Sequence, residues 1–249
     1  MEKPELSLVI PTYNEKDLIE DTIERMYANL KAVNVPAELV LVDDSRDGTD
    51  AILHELAKKH LAMKVINREN AKGVGSAIRM GIEQASCPYV VVFMCDAPDD
   101  IKYVPAILEK LKAGYDLVHT SRFMKGSVIQ GYPLMKTIGN RMVNGAAMPR
   151  VRRLTNELMS AIVSALARQP IPDSQCGFRF IRRELLEHIP LRARRFEIET
   201  ELLVAAAARR WKIVSVPVQS IYQRQPSHIQ PLRETVRFLW VILRALVRR

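Results

Sequence analysis

The chain has 249 residues, 48% of them hydrophobic and 26% charged, which is ordinary for a globular protein with a sizeable core. Its net charge of +9 favours anionic partners such as nucleotides and phospholipid head groups. The three cysteines, Cys87, Cys95 and Cys176, lack CxxC spacing, which argues against a disulfide framework and a paired-cysteine zinc site.

Short apolar runs alternate with helical patterns along the first half of the chain. Strands are predicted at residues 6–10, 39–42, 63–66, 89–94 and 116–120, and helices at 16–32, 49–60, 75–85 and 101–112. This alternation predicts an α/β fold with a mostly parallel, doubly wound central sheet and helices on both faces. Further helices are predicted at 149–168, 199–210 and 233–249.

Acidic residues follow the fourth predicted strand, which has no charged residue from Tyr89 to Cys95. Asp96, Asp99 and Asp100 come directly after it, at the edge where open α/β sheets bind ligands. Carboxylates in that place predict a site for a hard divalent cation, Mg²⁺ or Mn²⁺, that bridges substrate phosphates. For Asp99 and Asp100 the alternative is capping of the next helix.

The end of the first predicted strand is a candidate loop over a nucleotide. Pro11 ends the hydrogen-bonded ladder, so the residues after it can form a loop over a ligand. Tyr13 is suited to stack on a base, and Glu15 is suited to accept hydrogen bonds from it. Asn14 has the simpler alternative of capping the following helix.

The ends of the second and third predicted strands add further candidates. Asp43 and Asp44 stand where an acidic residue binds a ribose hydroxyl or a base edge in dinucleotide sites. Lys72 and Gly73 precede a predicted helix, whose N-terminus favours phosphate. The glycine motif here is neither GxGxxG nor a P-loop, so it only supports the other observations.

These features stand in one order along the chain: VIPTYNE, VDDSRDGT, NAKGVGSAIRMG, and an apolar strand ending in Asp96. Together they resemble the family 2 glycosyltransferases, whose nucleotide-sugar domain has the GT-A fold. The second half is similar to the branch that transfers sugars to polyprenyl phosphates, in TSRFMKG, DSQCGFR and RFEIETELL. One departure is at Met94-Cys95-Asp96, where that family usually has Asp-x-Asp.

The resemblance implies one GT-A domain at 1–230, with a nucleotide-sugar half at 1–121 and an acceptor half at 122–230. The implied reaction is an inverting transfer of a hexose from a nucleotide sugar to a polyprenyl phosphate. Asp96, Arg122, Arg179 and Glu199 are the implied catalytic residues. An acceptor phosphate is already anionic near neutral pH, so it needs cationic positioning more than a general base.

Residues 231–249 are expected to form a C-terminal amphipathic helix. Arg233, Arg237, Arg244 and Arg248 fall on one face at helical spacing, with Trp240 among them. This pattern predicts peripheral association with the cytosolic face of a membrane and leaves room for a membrane-protein partner. Packing of the apolar face on the core is the alternative. No signal peptide or membrane-spanning segment is evident in the sequence.

The sequence leaves alternatives for the nucleotide-sugar donor and for the class of protein. The resemblance favours GDP-mannose, but the motif that begins at Asp173 is also similar to the UDP-glucose-dependent enzymes. Loss of the first carboxylate at Met94 leaves open a non-catalytic protein that binds nucleotide sugars or lipid phosphates. Nucleic acid is not an expected partner, because no basic and aromatic module or helix-turn-helix spacing is found.

Overall fold

A computed structural model describes residues 3–69, 73–94, 101–130 and 150–221. The strands are β1 (Leu6–Thr12), β2 (Ala37–Asp43), β3 (Met63–Asn67), β4 (Tyr89–Val92), β5 (Leu117–Ser121), β6 (Val128–Gln130), β7 (Arg179–Arg182), β8 (Ile213–Pro217) and β9 (Gln219–Ile221). The helices are α1 (Ile19–Ala32), α2 (Thr49–Lys59), α3 (Val74–Gln84), α4 (Val104–Lys112), α5 (Arg150–Ala167), α6 (Arg183–Leu186) and α7 (Glu197–Ala208), with a 3-10 turn at Ile101–Tyr103.

Seven strands form the central sheet in the order β3-β2-β1-β4-β7-β5-β8. Each of them is parallel to the others except β7, which is antiparallel to both β4 and β5. The predicted α/β fold with a mostly parallel sheet is therefore confirmed. A separate pair, β6 and β9, is also parallel.

Helices cover both faces of the sheet, which explains why the central strands are apolar on both sides. One face packs on α1, α2 and α4 through side chains such as Ile23, Leu53 and Leu108. The other face packs on α5 and α7 through Val163 and Leu203, while α3 contributes Ile78. Gly81 on α3 lies so close to Val9 of β1 that an added Cβ would clash with that side chain.

The reversed strand β7 was not predicted from the sequence. Its first residue, Arg179, pairs in register with His119 near the carboxyl end of β5. Phe178 just before it packs edge-to-face on Phe93 and on Phe180, with ring centroids 5.8 Å and 4.8 Å apart. Because β7 begins near the point where its parallel neighbours end, Arg179 lies just beneath that edge of the sheet.

Among the described residues, no helix combines the length and the hydropathy that crossing a bilayer requires. The predicted helix at 231–249 lies outside the described residues, as does the boundary at 230. The predicted helix at 149–168 is confirmed as α5, and one of its faces packs on the core through Met159, Val163 and Ala167. Leu154 and Leu158 on the same helix are 68% and 60% exposed.

Candidate active site

The candidate site is the edge of the sheet where the parallel strands end. There Thr12 pairs with Asp43 in register, and Asp43 pairs with Asn67. On the other side of β4 the same edge carries Ser121, with Arg179 beside it at the start of the reversed strand. The sheet therefore gathers strand ends from both predicted halves along one edge.

Asp43 is buried at this edge and organises the loops around it. Its Oδ1 accepts hydrogen bonds from Thr12 Oγ1 at 2.7 Å and from Ser45 Oγ at 2.6 Å. Ser45 Oγ in turn accepts a hydrogen bond from the backbone amide of Asn14 at 2.7 Å. The predicted contact between Asp43 and a ribose or base stays a prediction, and the structure adds a role in joining the ends of β1 and β2.

Asn14 does not cap the first helix, which begins only at Ile19. It adopts a positive φ of 55°, a region that asparagine enters more readily than most residues. Its Oδ1 accepts a hydrogen bond from the amide of Arg46 at 3.0 Å, so it ties the loop after β1 to the loop after β2. Asparagine favours helix caps because its side chain hydrogen-bonds to nearby backbone groups, and Asn14 uses the same property to bond the loop after β2.

The loop after β1 leaves one aromatic side chain in solvent. Tyr13 is 63% exposed, whereas Pro11 before it is buried in the sheet. The amide of Glu15 donates to Thr49 Oγ1 at 3.0 Å, which fixes the loop against the start of α2. The Tyr13 ring is thus exposed on an anchored loop, and its stacking on a base stays a prediction.

Asp44 forms a buried ion pair with Arg68, a residue that the sequence analysis did not single out. Their side chains are 8% and 7% exposed. Arg68 donates Nε to Asp44 Oδ1 at 2.6 Å and Nη2 to Asp44 Oδ2, which makes the pair bidentate. Arg68 Nη1 also donates to Ser76 Oγ at 2.7 Å, so the pair connects β2, the end of β3 and α3. In the sequence, this pair is indicated only by an acidic residue at the end of one predicted strand and a basic residue at the end of the next.

The glycines before α3 are explained in part by close packing. Gly73 has a φ of 90°, and an added Cβ would meet the carbonyl oxygen of Arg194. The amide of Gly75 donates to that same carbonyl at 2.9 Å. Lys72 lies outside the described residues, so phosphate binding by Lys72 and Gly73 stays a prediction.

The predicted metal ligands Asp96, Asp99 and Asp100 also lie outside the described residues. Within the described part of the chain, no group of three or more His, Cys, Asp or Glu side chains is placed to hold a metal ion. Asp43 and Asp44 are two carboxylates with little exposed surface at this edge, and both accept hydrogen bonds from protein donors. Metal binding by Asp96, Asp99 and Asp100 therefore stays a prediction.

In the predicted acceptor half, Arg122 is held by Asp173. Arg122 Nε and Nη2 donate to the two carboxylate oxygens at 2.7 Å and 2.9 Å, and its backbone amide donates at 3.1 Å. Asn156 on α5 adds a hydrogen bond to Asp173 at 3.1 Å. Burial alone would raise the pKa of Asp173, but the hydrogen bonds and charge of Arg122 outweigh it and lower that pKa. The result is a fixed guanidinium at the end of β5.

Arg179 is 3% exposed and bonded on all sides by protein groups. It donates Nη1 to the carbonyl of Glu199 at 2.8 Å and Nη2 to the carbonyl of Ser174 at 2.7 Å. Its Nε donates to Nδ1 of His119 at 3.4 Å. Burial lowers the pKa of Arg179. These contacts place Arg179 beneath the edge, and its predicted catalytic role stays a prediction.

Glu199 lies in the first turn of α7 and packs against Gly177. A Cβ on Gly177 would stand 2.9 Å from the carboxyl carbon of Glu199, closer than side chains tolerate. The glycine of the DSQCGFR segment therefore makes room for this carboxylate. The backbone carbonyl of Glu199 accepts a hydrogen bond from Arg179, and the predicted catalytic role of Glu199 stays a prediction.

The model of the glycosyl transferase family 2 matches residues 7–190 of the chain, which include every strand of the central sheet but β8. The chain belongs to this family. It is 32% identical over 216 residues to a dolichol-phosphate mannosyltransferase of Pyrococcus furiosus, which covers 85% of this chain and 55% of that protein. The chain therefore spans about half the length of that relative.

A second relative matches over most of its own length. A dolichyl-phosphate hexose transferase of Haloferax volcanii is 30% identical over 215 residues, covering 86% of this chain and 82% of that protein. Among solved structures, glucosyl-3-phosphoglycerate synthase of Mycobacterium tuberculosis, in complex with Mn²⁺, UDP and phosphoglyceric acid, superposes with a TM-score of 0.65. It is 21% identical and covers 97% of this chain and 78% of that one, so it supports the GT-A fold alone. The resemblance stated from the sequence is confirmed.

Proposed function

We propose that the chain is a glycosyltransferase that moves a hexose from a nucleotide sugar to a polyprenyl phosphate. The observation that carries this proposal is the shared edge of the sheet. The loops after β1 and β2, with exposed Tyr13, line one part of it. The buried Arg122–Asp173 pair lies at the end of β5 on the same edge. Two relatives named for dolichyl phosphate transfer support the choice of acceptor.

The donor is assigned to the side of β1, β2 and β3. Tyr13 would stack on the base, with Pro11 and Glu15 shaping the loop beneath it. Asp43 and Asp44 would accept hydrogen bonds from the base or ribose through lone pairs that their protein partners leave, since a carboxylate has about four acceptor sites. Lys72 and Gly73 would hold the diphosphate near the start of α3.

The acceptor is assigned to the side of β5 and β7. An acceptor phosphate oxygen attacks the anomeric carbon on the face opposite the leaving group and forms the new bond. The bond from that carbon to the diphosphate oxygen breaks, and its electron pair leaves with the nucleoside diphosphate, so the configuration inverts. Arg122 would orient the acceptor phosphate, because a guanidinium binds phosphate bidentately. Arg179 and Glu199 would support it from beneath.

The acidic segment after β4 would hold the cation, through Asp96 with Asp99 or Asp100. A bound Mg²⁺ or Mn²⁺ supplies charge neutralisation for the diphosphate leaving group. A single carboxylate at the Met94-Cys95-Asp96 position is compatible with such a site, because Mg²⁺ retains several waters and needs only one or two carboxylates.

GDP-mannose is the favoured donor, since the relative from Pyrococcus furiosus is a mannosyltransferase. UDP-glucose is the alternative, in keeping with the motif at Asp173. The non-catalytic alternative, a protein that binds nucleotide sugar or lipid phosphate, is motivated by Met94 at the first position of the metal motif.

Peripheral association with the cytosolic face of a membrane is part of the proposal, because a polyprenyl acceptor is embedded there. Exposed Leu154 and Leu158 on α5 support it. The arginine-bearing segment at 231–249 would add electrostatic attraction worth about 1 kcal/mol for each cation near an anionic leaflet. A membrane-protein partner is compatible with this arrangement.

The test is a matrix of donors and acceptors with purified full-length protein. GDP-mannose, UDP-glucose and UDP-GlcNAc are each incubated with Mg²⁺ or Mn²⁺ and with polyprenyl phosphate in detergent, 3-phosphoglycerate, or no acceptor. Asp96→Ala serves as the inactive control, with its fold checked by circular dichroism. Labelled lipid product, formed with one donor and abolished in the control, is the expected result.

Each of the other possible outcomes would change a different part of the proposal. Transfer to 3-phosphoglycerate and not to the lipid would move the acceptor to a soluble phosphate. Tight binding of a nucleotide sugar without product from any acceptor would favour the non-catalytic protein. Equal product from wild type and Asp96→Ala would remove Asp96 from the site.

A further inference from the structure

His119, a residue to which the proposed reaction gives no role, lies at the centre of a buried polar cluster. It is on β5, three residues before Arg122, and is 0% exposed. In the sheet it stands opposite Arg179 of β7 on one side and Ser215 of β8 on the other. A histidine in such a place is either an inaccessible core residue or a group that orients its neighbours.

The bonding of the ring identifies its proton. Nδ1 of His119 receives the Nε–H of Arg179 at 3.4 Å, so Nδ1 must carry a lone pair and the proton is assigned to Nε2. Nδ1 is thus the ring atom that accepts a hydrogen bond, and backbone hydrogen bonding with Asp173 also acts on the ring by raising its pKa. The ring therefore acts on its surroundings through Nδ1, as a neutral acceptor.

Burial, more than the neighbouring charges, keeps the ring neutral. Burial, and then the charge of Arg179 on β7, lower the pKa of His119 to about 3. Asp173, from the loop before β7, acts in the opposite direction, while Arg122 at the end of β5 reinforces the lowering. From α5, Asn156 reaches the same Asp173 but carries no charge. The ring has no exposed surface, so it is not placed to take a proton from a bound substrate directly.

Arg179 transmits the position of His119 to the acceptor side. Its Nη2 holds the carbonyl of Ser174 at 2.7 Å, and Ser174 follows Asp173 directly in the chain. Asp173 in turn holds the Arg122 guanidinium by bonds of 2.7 Å and 2.9 Å. A chain of contacts thus runs from His119 through Arg179 and the 173–174 segment to Arg122.

We propose that His119 is a positioning residue of the acceptor side, which holds Arg179 through Nδ1 and so fixes Asp173 and Arg122 for the acceptor phosphate. This proposal rests on the proposed function in one respect, that Arg122 meets the acceptor. It adds that Nδ1 of His119, a neutral hydrogen-bond acceptor on β5, sets the affinity of the protein for the polyprenyl phosphate.

Two substitutions of His119 that both introduce an amide side chain test this proposal. His119→Asn keeps an amide near the position of Nδ1, whereas His119→Gln carries its amide out to the position of Nε2. We expect His119→Asn to keep the KM for polyprenyl phosphate within about threefold of wild type. We expect His119→Gln to raise it roughly tenfold, the effect of losing about one hydrogen bond, with the KM for the nucleotide sugar unchanged. Thermal unfolding of both variants accompanies the kinetics.

The pH profile is the second readout. Because His119 is neutral across the assay range, kcat/KM between pH 5.5 and 8 should keep its shape in His119→Asn. A changed shape would show that His119 titrates during catalysis and would overturn the proposal. Equal KM values for the acceptor in both variants, with only their thermal stability lowered, would reduce His119 to a structural role and also overturn it.

A binding measurement distinguishes failure of the proposed function from failure of the role proposed for His119. Calorimetric titration with a short-chain polyprenyl monophosphate needs no turnover. If wild type binds this probe but transfers nothing, the proposed reaction fails while the order wild type, Asn, then Gln in affinity still supports His119. If wild type does not bind the probe, the acceptor role of Arg122 fails and the positioning role fails with it.

Discussion

The buried pair of Asp44 and Arg68 provides a direct test of how the donor side is built. In Arg68→Met the carboxylate of Asp44, which is 8% exposed, loses both of its guanidinium hydrogen bonds and its countercharge. Removing one partner of a buried pair leaves a buried charge uncompensated, which costs about 3–5 kcal/mol of unfolding free energy. We therefore expect Arg68→Met to lose that amount in urea unfolding.

The double variant Arg68→Met with Asp44→Asn shows how much of the lost stability comes from the unpaired charge of Asp44. Without a carboxylate to compensate, the loss should shrink to about 1–2 kcal/mol, since only hydrogen bonds to neutral groups are then missing. The contacts of Arg68 with Ser76 Oγ and with the carbonyl of Gly73 are lost in both variants, so they cancel in the comparison. Arg46→Met in the same region is the control, because Arg46 is exposed and should change stability by less than about 0.5 kcal/mol.

Two results would refute this reasoning. If Arg68→Met costs no more than Arg46→Met, the pair does not stabilise the edge. If the double variant is as unstable as Arg68→Met, the cost comes from lost packing and not from an unpaired charge. The KM for the nucleotide sugar, measured on the same proteins, shows in addition whether the donor loops depend on the pair.

Four further predictions concern other parts of the chain. Asp96→Ala should lower kcat by at least about a hundredfold with the fold retained, and a retained rate would move the metal site to other acids. Arg122→Lys should raise the KM for the acceptor roughly tenfold, because one of two guanidinium bonds to Asp173 is lost; an unchanged KM would separate Arg122 from the acceptor. Burial raises the pKa of Glu38, but hydrogen bonds from Ser7, Ser86 and Lys64 outweigh it and lower that pKa to about 2, so the stabilisation from Glu38 is present above pH 4.5 and lost as the pH falls towards 2. Glu38→Gln should thus be less stable than wild type at pH 7 but similar at pH 2, and a gap independent of pH would contradict this. Deletion of 233–249 should reduce sedimentation with anionic liposomes while nucleotide-sugar binding persists; unaltered sedimentation, or unfolding, would assign that segment to the core.

The parallel part of the sheet could be predicted because its strands are buried on both faces. A strand such as β2 is a continuous apolar run ended by Asp43 and Asp44, so both its burial and its edge are visible in the sequence. The predicted strands fall within about two residues of the observed ones for the same reason. The first helix was predicted from Lys16 but begins at Ile19, because Asn14 bonds to the loop after β2 and Glu15 bonds to the first residue of α2.

The reversed strand could not be predicted in the same way. β7 has only four residues, with an arginine at each end, which is too short and too polar for a periodic signal. Arg179 is nevertheless buried, because the carbonyls of Ser174 and Glu199 surround it. Those partners are assembled by the fold, so local sequence patterns do not reveal them. Arg68 escaped prediction for the same reason, since its partner Asp44 is on a different strand end.

The reversed strand also makes the two predicted halves mechanically dependent on each other. β7 lies between β4 and β5, so the strand that leads to Asp96 is paired on one side with the acceptor half. The chain then returns across the donor half, where the carbonyls of Ala193 and Arg194 receive Arg79 at 2.6 Å and the amide of Gly75 at 2.9 Å. The turn at Gly73 is therefore shaped by residues of the acceptor half. A donor bound at this turn and an acceptor bound at Arg122 would be held by one connected framework, which suits a single displacement in which both substrates must be aligned at once.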